Sequence, residues 1–290
     1  MTVAARPPAW HDAQYNARAA IPEAMDILRR WSDSSAATRA ECPCKLDLAY
    51  GDDASERLDL FLPARGSSGR PAPVLVYIHG GYWRALDKRD QSFVAAPFAA
   101  AGALVVLTNY ALCPAVSVEH IVLQLVRALA WVWRHAARHG GDRERIVVAG
   151  HSAGGHLAAM MLACHWRDVA ADLPRDLVKA ALALSGIFDL EPLRHAPFLA
   201  PDLKLDAATA QRLSPAAMPA PGGPLVALVG ADESTEFRRQ SRLIARRWGA
   251  ATVPVCATLP GRHHMSVLFD LATPGARAHR LALQLLGLDR

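Results

Sequence analysis

The chain has 290 residues, of which 52% are hydrophobic and 20% charged, and its formal net charge is +5. This composition predicts one large domain with a substantial buried core and excludes an intrinsically disordered chain. The basic residues are scattered among acidic ones and form no stripe interleaved with aromatic residues, so nucleic acid is not an expected partner.

The five cysteines are an odd number, and the pair Cys42 and Cys44 lacks the spacing of a zinc site. The first ten residues contain no apolar segment of the kind found in signal peptides, and no apolar run approaches membrane-spanning length. We therefore expect a cytoplasmic protein with reduced thiols that binds no metal, no cofactor and no membrane. The sequence leaves a homodimer open.

Hydrophobic patterning predicts short helical pieces over residues 10–41 and then an antiparallel strand pair at Lys45–Tyr50 and Leu58–Leu62. After a loop at Pro63–Pro73, apolar runs alternate with helical segments, which is typical of parallel strands joined by right-handed crossovers. The strands predicted beyond the loop are Val74–Ile78, Leu104–Thr108, Ile146–Ala149, Ala180–Leu184, Leu225–Val229 and Val253–Thr258. The helices predicted there are Gln91–Ala101, Val118–Arg138, a segment ending near His165, Glu236–Trp248 and Ala276–Leu286.

No linker or internal repeat divides the chain, so we predict a single domain over residues 1–290. Residues 1–44 would form an N-terminal helical extension. Residues 186–224 are rich in proline and have no strand pattern. Long excursions of this kind often cover a site in compact domains, so we expect this segment to be a lid.

An apolar run, the motif Gly150-His151-Ser152-Ala153-Gly154 and a run of small residues predict a strand, a sharp turn and a helix. A serine on such a turn has a strained backbone that pushes its hydroxyl to the edge of the sheet. The two glycines leave room where strand and helix pass closely. The helix N-terminus adds free N–H groups and a positive dipole end, so Ser152 is a candidate nucleophile.

Ligands of open α/β sheets bind beyond the carboxyl ends of the strands, so polar residues that follow strands are candidates for the same site. A serine becomes an effective nucleophile when an imidazole accepts its proton and a carboxylate orients that imidazole. The order Ser, acid, His along this chain is the order found in α/β-hydrolases. The residues that follow strands, besides Ser152, are His79, Gly80, Gly81, Asp232, Glu233, His263 and His264.

Four segments at these positions carry a family resemblance. They are His79–Trp83, Gly150–His156, Glu233–Ser241 and His263–Met265. Together they resemble the signature segments of the kynurenine formamidase (arylformamidase) group of α/β-hydrolases, and the resemblance extends from about Leu46 to the C-terminus. The His-Gly-Gly-x-Trp turn is fairly specific to that group, whereas Gly-x-Ser-x-Gly is shared by the whole superfamily. Tyr110–Pro114 also resembles a turn of related carboxylesterases.

The resemblance implies an α/β-hydrolase fold, with a mostly parallel sheet of about eight strands and helices on both faces. It also implies a serine hydrolase for a small-molecule substrate, an aryl formamide such as N-formyl-kynurenine. A carboxylesterase for short-chain or aryl esters is the alternative, and a catalytically silent binding protein is a remote one. In the family pattern the acid stands directly before Ser/Thr-x-Glu-Phe, which selects Glu233, with Asp232 as its rival. The family's histidine precedes an apolar residue, which selects His264.

The expected oxyanion hole consists of backbone N–H groups around Gly80, Gly81 and Tyr82, together with that of Ala153, the residue after the nucleophile. The candidate substrate-binding residues are Tyr82, Trp83, Phe188 and His151. Tyr82 and Trp83 follow the glycine pair, Phe188 lies in the proline-rich segment, and His151 adjoins Ser152. Ordinary burial in the core is the alternative explanation for the three aromatic residues.

Overall fold

The structure is a computed structural model that describes residues 6–64 and 70–289. Residues 65–69, within the predicted Pro63–Pro73 loop, lie outside the described part. An eight-stranded sheet has the strand order β1-β2-β4-β3-β5-β6-β7-β8. Its strands are β1 (Cys44–Ala49), β2 (Arg57–Phe61), β3 (Ala72–Ile78), β4 (Leu104–Thr108), β5 (Gly141–His151), β6 (Val178–Leu184), β7 (Leu225–Gly230) and β8 (Val255–Leu259).

The helices connect these strands and precede them at the N-terminus. The α-helices are α1 (Pro8–Tyr15), α2 (Ala24–Glu41), α3 (Ala95–Ala100), α4 (Val118–His135), α5 (Ala153–Ala163), α6 (Trp166–Val169), α7 (Ala200–Leu203), α8 (Ala207–Arg212), α9 (Thr235–Thr252), α10 (Val267–Ala272) and α11 (Arg277–Leu286). Short 3₁₀ helices occupy Lys88–Val94, Ala136–His139, Glu191–His195 and Pro215–Ala217.

The sheet is mostly parallel, as the sequence predicts. Strands β3 to β8 run parallel to one another, whereas β2 pairs antiparallel with both β1 and β4. In the centre, Val76 of β3 lies opposite Val106 of β4 and Val148 of β5. All three side chains are buried, because continuous apolar strands of this kind are covered on both faces.

Helices pack on both faces of the sheet. Successive side chains of a strand point to opposite faces, so Val74, Val76 and Ile78 join one core while Leu75 and Tyr77 join the other. Helices α4, α5 and α9 contribute to the first core, and α2, α3 and α11 to the second. The predicted fold, a mostly parallel sheet with helices on both faces, is therefore confirmed.

The predicted elements differ from the observed ones mainly at their ends. Helix α9 begins at Thr235, where the Ser234 side chain accepts a hydrogen bond from the Phe237 N–H, and it continues to Thr252. Because the helix continues, β8 starts at Val255 instead of Val253. The helix after Ser152 ends at Ala163, two residues before the predicted end. The described residues contain no helix that is both long and apolar enough to cross a membrane.

Candidate active site

Ser152 stands on a strained turn between β5 and α5, as its motif predicts. Its backbone φ is 56° and its ψ is −115°, and its N–H donates to the Leu184 carbonyl at 2.8 Å. Glycine is required on either side of it. A Cβ on Gly150 would lie 2.1 Å from the Gly154 oxygen, and one on Gly154 would lie 2.0 Å from the Ile78 oxygen. The close passage of strand and helix therefore fixes the serine at the carboxyl end of β5.

Three side chains from three different loops form a continuous hydrogen-bond chain. The Ser152 Oγ lies 3.0 Å from His264 Nε2, and His264 Nδ1 lies 2.7 Å from Glu233 Oε2. Because a carboxylate can only accept, the proton on the ring is assigned to Nδ1, which leaves Nε2 free to accept from the serine hydroxyl. This is the arrangement in which an imidazole can remove the serine proton.

Glu233 is the carboxylate that reaches His264. Its Oε1 accepts hydrogen bonds from the Ser185 hydroxyl at 2.5 Å and from the Gly230 N–H at 2.7 Å. With His264, three donors surround this buried carboxylate and stabilise its negative charge. The neighbouring Asp232 has an exposed side chain, and its backbone N–H donates to the Arg262 carbonyl. The geometry therefore favours Glu233 over its rival.

The His-Gly-Gly turn packs directly against the serine. A Cβ on Gly80 would lie 2.8 Å from the His151 oxygen and 3.3 Å from the Ser152 Cβ. Gly81 has a φ of 105° and Tyr82 a φ of 52°, so the chain reverses sharply beside the nucleophile. The Tyr110 hydroxyl donates to the His79 carbonyl at 2.9 Å and supports the turn from below.

The N–H groups expected to form the oxyanion hole are free to bind a ligand oxygen. Within the described residues, the backbone N–H groups of Gly81, Tyr82 and Ala153 donate to no other protein group. That of Ala153 also lies at the N-terminus of α5, where the helix dipole favours negative charge. Unpaired donors on a rigid turn next to the nucleophile suit stabilisation of a tetrahedral oxyanion.

A cavity of about 170 Å³ opens at Ser152, and we call it the nucleophile cavity. Tyr82 and His151 line it, as expected from the sequence. Trp83 and Phe188 do not. Both are fully buried, with Trp83 packed edge-on against the His156 ring and Phe188 packed against Gly186. The larger apolar side chains that line the cavity are Leu28, Trp31, Leu86, Phe198 and Met265.

His151 is fixed between the nucleophile and the loop that carries the base. Its Nε2 donates to the His264 carbonyl at 2.7 Å, and the two rings lie 4.8 Å apart. Burial, with a smaller contribution from the neighbouring His264 imidazole, holds the pKa of His151 well below its ordinary value. His151 is therefore neutral and places no positive charge beside the base.

A second cavity of about 160 Å³ lies on the other side of His264, and we call it the acid cavity. His264 and Ala17 line both cavities. The acid cavity is lined by three acidic residues, Glu23, Asp232 and Glu233, of which Glu233 has a fully buried side chain, and it does not include Ser152. His263 is one of its walls, and its Nε2 lies 3.1 Å from Glu23 Oε1.

The N-terminal segment contributes to both cavities, which the sequence did not reveal. We call residues 12–31 the N-terminal strap. The Tyr82 hydroxyl donates to the Tyr15 carbonyl, and the Tyr15 hydroxyl donates to Glu236 at 2.9 Å. Gln14 accepts from the Thr235 hydroxyl at 2.8 Å. The strap thus bridges the oxyanion turn and the start of α9. The aromatic residues of the strap, among them Trp31, are the sequence feature that could have indicated that the strap packs against the domain.

The proline-rich segment contributes less to the site than the strap does. Of residues 186–224, one, Phe198, lines the nucleophile cavity. The role of this segment as a lid stays a prediction. In the described part of the chain, no group of three or more His, Cys, Asp or Glu side chains is placed to hold a metal ion.

An eight-stranded, mostly parallel sheet with a serine at the elbow between strand and helix defines an α/β-hydrolase, and solved esterases share this fold. The family model BD-FAE matches residues 58–198. Kynurenine formamidase from Danio rerio is 30% identical over 249 residues, which cover 83% of this chain and 82% of that protein. The chain therefore belongs to the kynurenine formamidase family, as its motifs predicted.

Relatives with other names are also similar to this chain. Esterase LipC from Mycobacterium tuberculosis is 29% identical over 265 residues, which cover 83% of this chain and 64% of that protein. The crystal structure of a candidate thioesterase from a Silicibacter species matches with a TM-score of 0.81 and 30% identity, covering 95% of this chain and 98% of that one. The protein is therefore an enzyme of the hydrolase class, and its expected α/β-hydrolase fold is confirmed.

Proposed function

We propose that this hydrolase cleaves aryl formamides of the N-formyl-kynurenine type through an acyl-enzyme formed on Ser152. The hydrogen-bond chain from Glu233 through His264 to Ser152 carries the proposal. The similarity to the kynurenine formamidase of Danio rerio supports the substrate class. The aromatic and aliphatic lining of the nucleophile cavity suits an aryl group next to the scissile bond.

In the first half of the reaction, Ser152 Oγ attacks the formyl carbon while its proton passes to His264 Nε2. Glu233 stabilises the resulting imidazolium through its hydrogen bond to Nδ1. The negative charge that develops on the carbonyl oxygen is stabilised by the N–H of Ala153 and those of the His-Gly-Gly turn. The tetrahedral intermediate then collapses, the C–N bond breaks, and His264 gives its proton to the departing nitrogen.

In the second half, water replaces the amine. His264 Nε2 accepts a proton from the water as its oxygen attacks the formyl-serine carbon. Collapse of the second tetrahedral intermediate breaks the bond to Ser152 Oγ, which recovers its proton from His264. Formate leaves, and the enzyme returns to its starting state without a cofactor.

The decisive experiment compares kcat/KM for N-formyl-kynurenine with kcat/KM for p-nitrophenyl acetate on the same preparation. We expect the formamide value to equal or exceed the ester value, although an aryl ester is chemically the more reactive substrate. A formamide value thousands of times lower would contradict the proposal.

The alternative is a carboxylesterase for short-chain or aryl esters. The similarity to Esterase LipC favours it, as does the turn at Tyr110–Pro114 that resembles those of carboxylesterases. Esters use the same nucleophile, base and oxyanion donors. The comparison of the two kcat/KM values therefore also tests this alternative.

A cytoplasmic location and a homodimer remain proposals. All five cysteines are free thiols, which is the state expected in a reducing compartment. Fractionation of cells that express the full chain tests the first proposal, and light scattering on the purified protein tests the second.

A further inference from the structure

We propose that Arg18 forms an anion subsite at the mouth of the nucleophile cavity, so that preferred substrates carry a carboxylate at the end remote from the scissile bond. This inference rests on the proposed function, because it names the substrate group that the cavity recognises besides the acyl group. The charges that line the two cavities are its first support.

The two cavities have opposite charge. The nucleophile cavity is lined by two guanidinium groups, from Arg18 and Arg84, and by no carboxylate. The acid cavity is lined by the acidic residues Glu23, Asp232 and Glu233, of which Glu23 and Asp232 have exposed side chains, and by neither arginine nor lysine. An anionic substrate is therefore attracted to the cavity that contains Ser152 and repelled from the other.

Arg84 is already occupied by protein groups. Its guanidinium donates to the Phe198 carbonyl at 2.7 Å and to the Asp202 carboxylate, and it lies 5.5 Å from the centre of the Phe198 ring. These contacts neutralise its charge and fix its position. We therefore assign it a structural role in holding the cavity wall.

Arg18 differs from Arg84 in having no acidic partner among residues 6–64 and 70–289. Its one side-chain hydrogen bond there runs from Nη2 to the Met25 thioether sulfur at 3.0 Å, and a thioether is a weak acceptor. The guanidinium carries five N–H donors in a planar fork that matches a carboxylate. Most of these donors thus remain free to bind a ligand.

The different exposure of Ser152 and Arg18 indicates how a substrate would lie in the nucleophile cavity. Ser152 is 2% exposed and lies at the floor of the cavity, whereas Arg18 is exposed and lies at its mouth. A substrate that places its carbonyl at Ser152 therefore extends its other end towards Arg18. The backbone beside Arg18 is held in place, because Tyr15 is hydrogen-bonded both to Tyr82 and to Glu236.

The substrate class that fits is an aryl formamide with an aliphatic carboxylate side chain. Its formyl group reaches Ser152, its ring contacts the apolar wall, and its carboxylate pairs with Arg18. Because the guanidinium is exposed to water, we expect the pair to contribute roughly 3- to 5-fold to binding, less than a buried pair would.

The test measures inhibition of p-nitrophenyl acetate hydrolysis by 4-phenylbutanoate and by its neutral analogue 4-phenylbutanamide. It uses the wild type, Arg18→Gln and the control Arg29→Gln. Arg29 is an exposed arginine paired with Asp26 at 3.0 Å, and it lines neither cavity. This readout needs only hydrolysis of an ester, so it works whether or not the formamide is the better substrate.

We expect the acid to inhibit the wild type and Arg29→Gln roughly 3- to 5-fold more strongly than the amide does, and Arg18→Gln to lose that difference. The proposal is overturned if the acid and the amide inhibit the wild type equally, or if Arg18→Gln keeps the preference for the acid. A low kcat/KM for N-formyl-kynurenine would instead contradict only the formamidase proposal.

Discussion

The nucleophile cavity and the acid cavity share His264 and Ala17 but differ in the reactive groups and the charges of their other lining residues. The first contains Ser152, the unpaired N–H groups of the His-Gly-Gly turn and an apolar wall. The second is lined by acidic residues, Glu233 among them, and does not include Ser152. The two ring nitrogens of His264 contact different groups: Nε2 contacts the Ser152 hydroxyl, and Nδ1 contacts the Glu233 carboxylate, which stabilises positive charge on the ring.

This difference indicates how one histidine can serve as a base. Nε2 must lie next to the nucleophile and to space for the substrate, because it accepts and returns the proton. Nδ1 must lie next to a fixed carboxylate, because that carboxylate orients the ring and stabilises its charged form. Side chains of the nucleophile cavity should therefore control the reaction and its substrates. In the acid cavity, Glu233 should matter and the carboxylates that do not touch His264 should not.

The largest effect is expected at the floor of the nucleophile cavity. Ser152→Ala should lower kcat/KM about 10⁴-fold or more for every ester and formamide, because no nucleophile remains. The control is Ser241→Ala. Ser241 is a buried serine on α9 whose hydroxyl has no partner in the described residues, and its loss should leave activity unchanged. Turnover of Ser152→Ala near the wild-type rate would show that another group attacks the substrate.

The next effect distinguishes two adjacent carboxylates of the acid cavity. Glu233→Gln keeps the size of the side chain but removes the charge that orients and stabilises the His264 imidazolium, so kcat should fall roughly 10³-fold. Asp232→Asn should change kcat less than about twofold, because the Asp232 side chain is exposed and does not contact His264. Steady-state kinetics on p-nitrophenyl acetate measure kcat of both variants. A larger fall in Asp232→Asn than in Glu233→Gln would show that Asp232 is the acid of the triad.

A smaller effect is expected at the oxyanion turn. The Cβ of Gly80→Ala would lie 2.8 Å from the His151 oxygen, so the turn must move away from Ser152. Displacing oxyanion donors should lower kcat about 10²-fold with little change in KM. Gly222→Ala is the matched control, since a Cβ there would meet nothing within 4 Å. Equal kcat values for the two variants would remove the His-Gly-Gly turn from the mechanism.

The smallest effect concerns stability in the core below the nucleophile cavity. His156 is buried against Trp83 and donates to the Leu213 carbonyl at 2.8 Å. Burial lowers the pKa of His156 to about 4. Since the unfolded chain takes up a proton near pH 6.5 and the folded one does not, the stability present above pH 6.5 is lost as the pH falls towards 4. This group should remove about 2 kcal/mol between pH 7 and pH 5.

Thermal unfolding at pH 7 and pH 5 measures this contribution of His156. His156→Gln should show a smaller drop in Tm between the two values than the wild type does. His165→Gln, which replaces an exposed histidine, should show the wild-type drop. If His156→Gln and the wild type lost the same amount, His156 would not be the source of the pH dependence.

Much of the fold follows from local patterns in the sequence. The strands Leu104–Thr108 and Leu225–Gly230 were found almost to the residue, because a short, continuous apolar run bounded by polar residues has few other folded arrangements. The positions after the strands located Ser152, His264 and the His-Gly-Gly turn, because parallel strands bring their carboxyl ends to one edge of the sheet.

The choice between Glu233 and Asp232 could not follow from strand positions alone. Adjacent residues after a strand point in different directions, and the direction depends on how the turn after β7 hydrogen-bonds to Arg262 and Gly230. The family pattern selected Glu233, and the hydrogen bond to His264 agrees with that selection. The hydrogen bond from the Ser185 hydroxyl to Glu233 also depends on tertiary contacts and could not be predicted from the sequence.

The walls of the nucleophile cavity were the least predictable part of the site. Trp83 follows the glycine turn, but its φ of 56° directs the chain so that its ring is buried against His156. The strap residues Arg18, Leu28 and Trp31 line the cavity more than 100 positions before Ser152 in the chain. Contacts at such separation leave no periodic signal in one sequence.

The most direct test of the account is covalent labelling with a fluorophosphonate, mapped by mass spectrometry in the wild type, Glu233→Gln and Asp232→Asn. We expect one adduct on Ser152, formed at the wild-type rate in Asp232→Asn and much more slowly in Glu233→Gln. An adduct on another residue, no adduct at all, or slow labelling in Asp232→Asn with normal labelling in Glu233→Gln would contradict it.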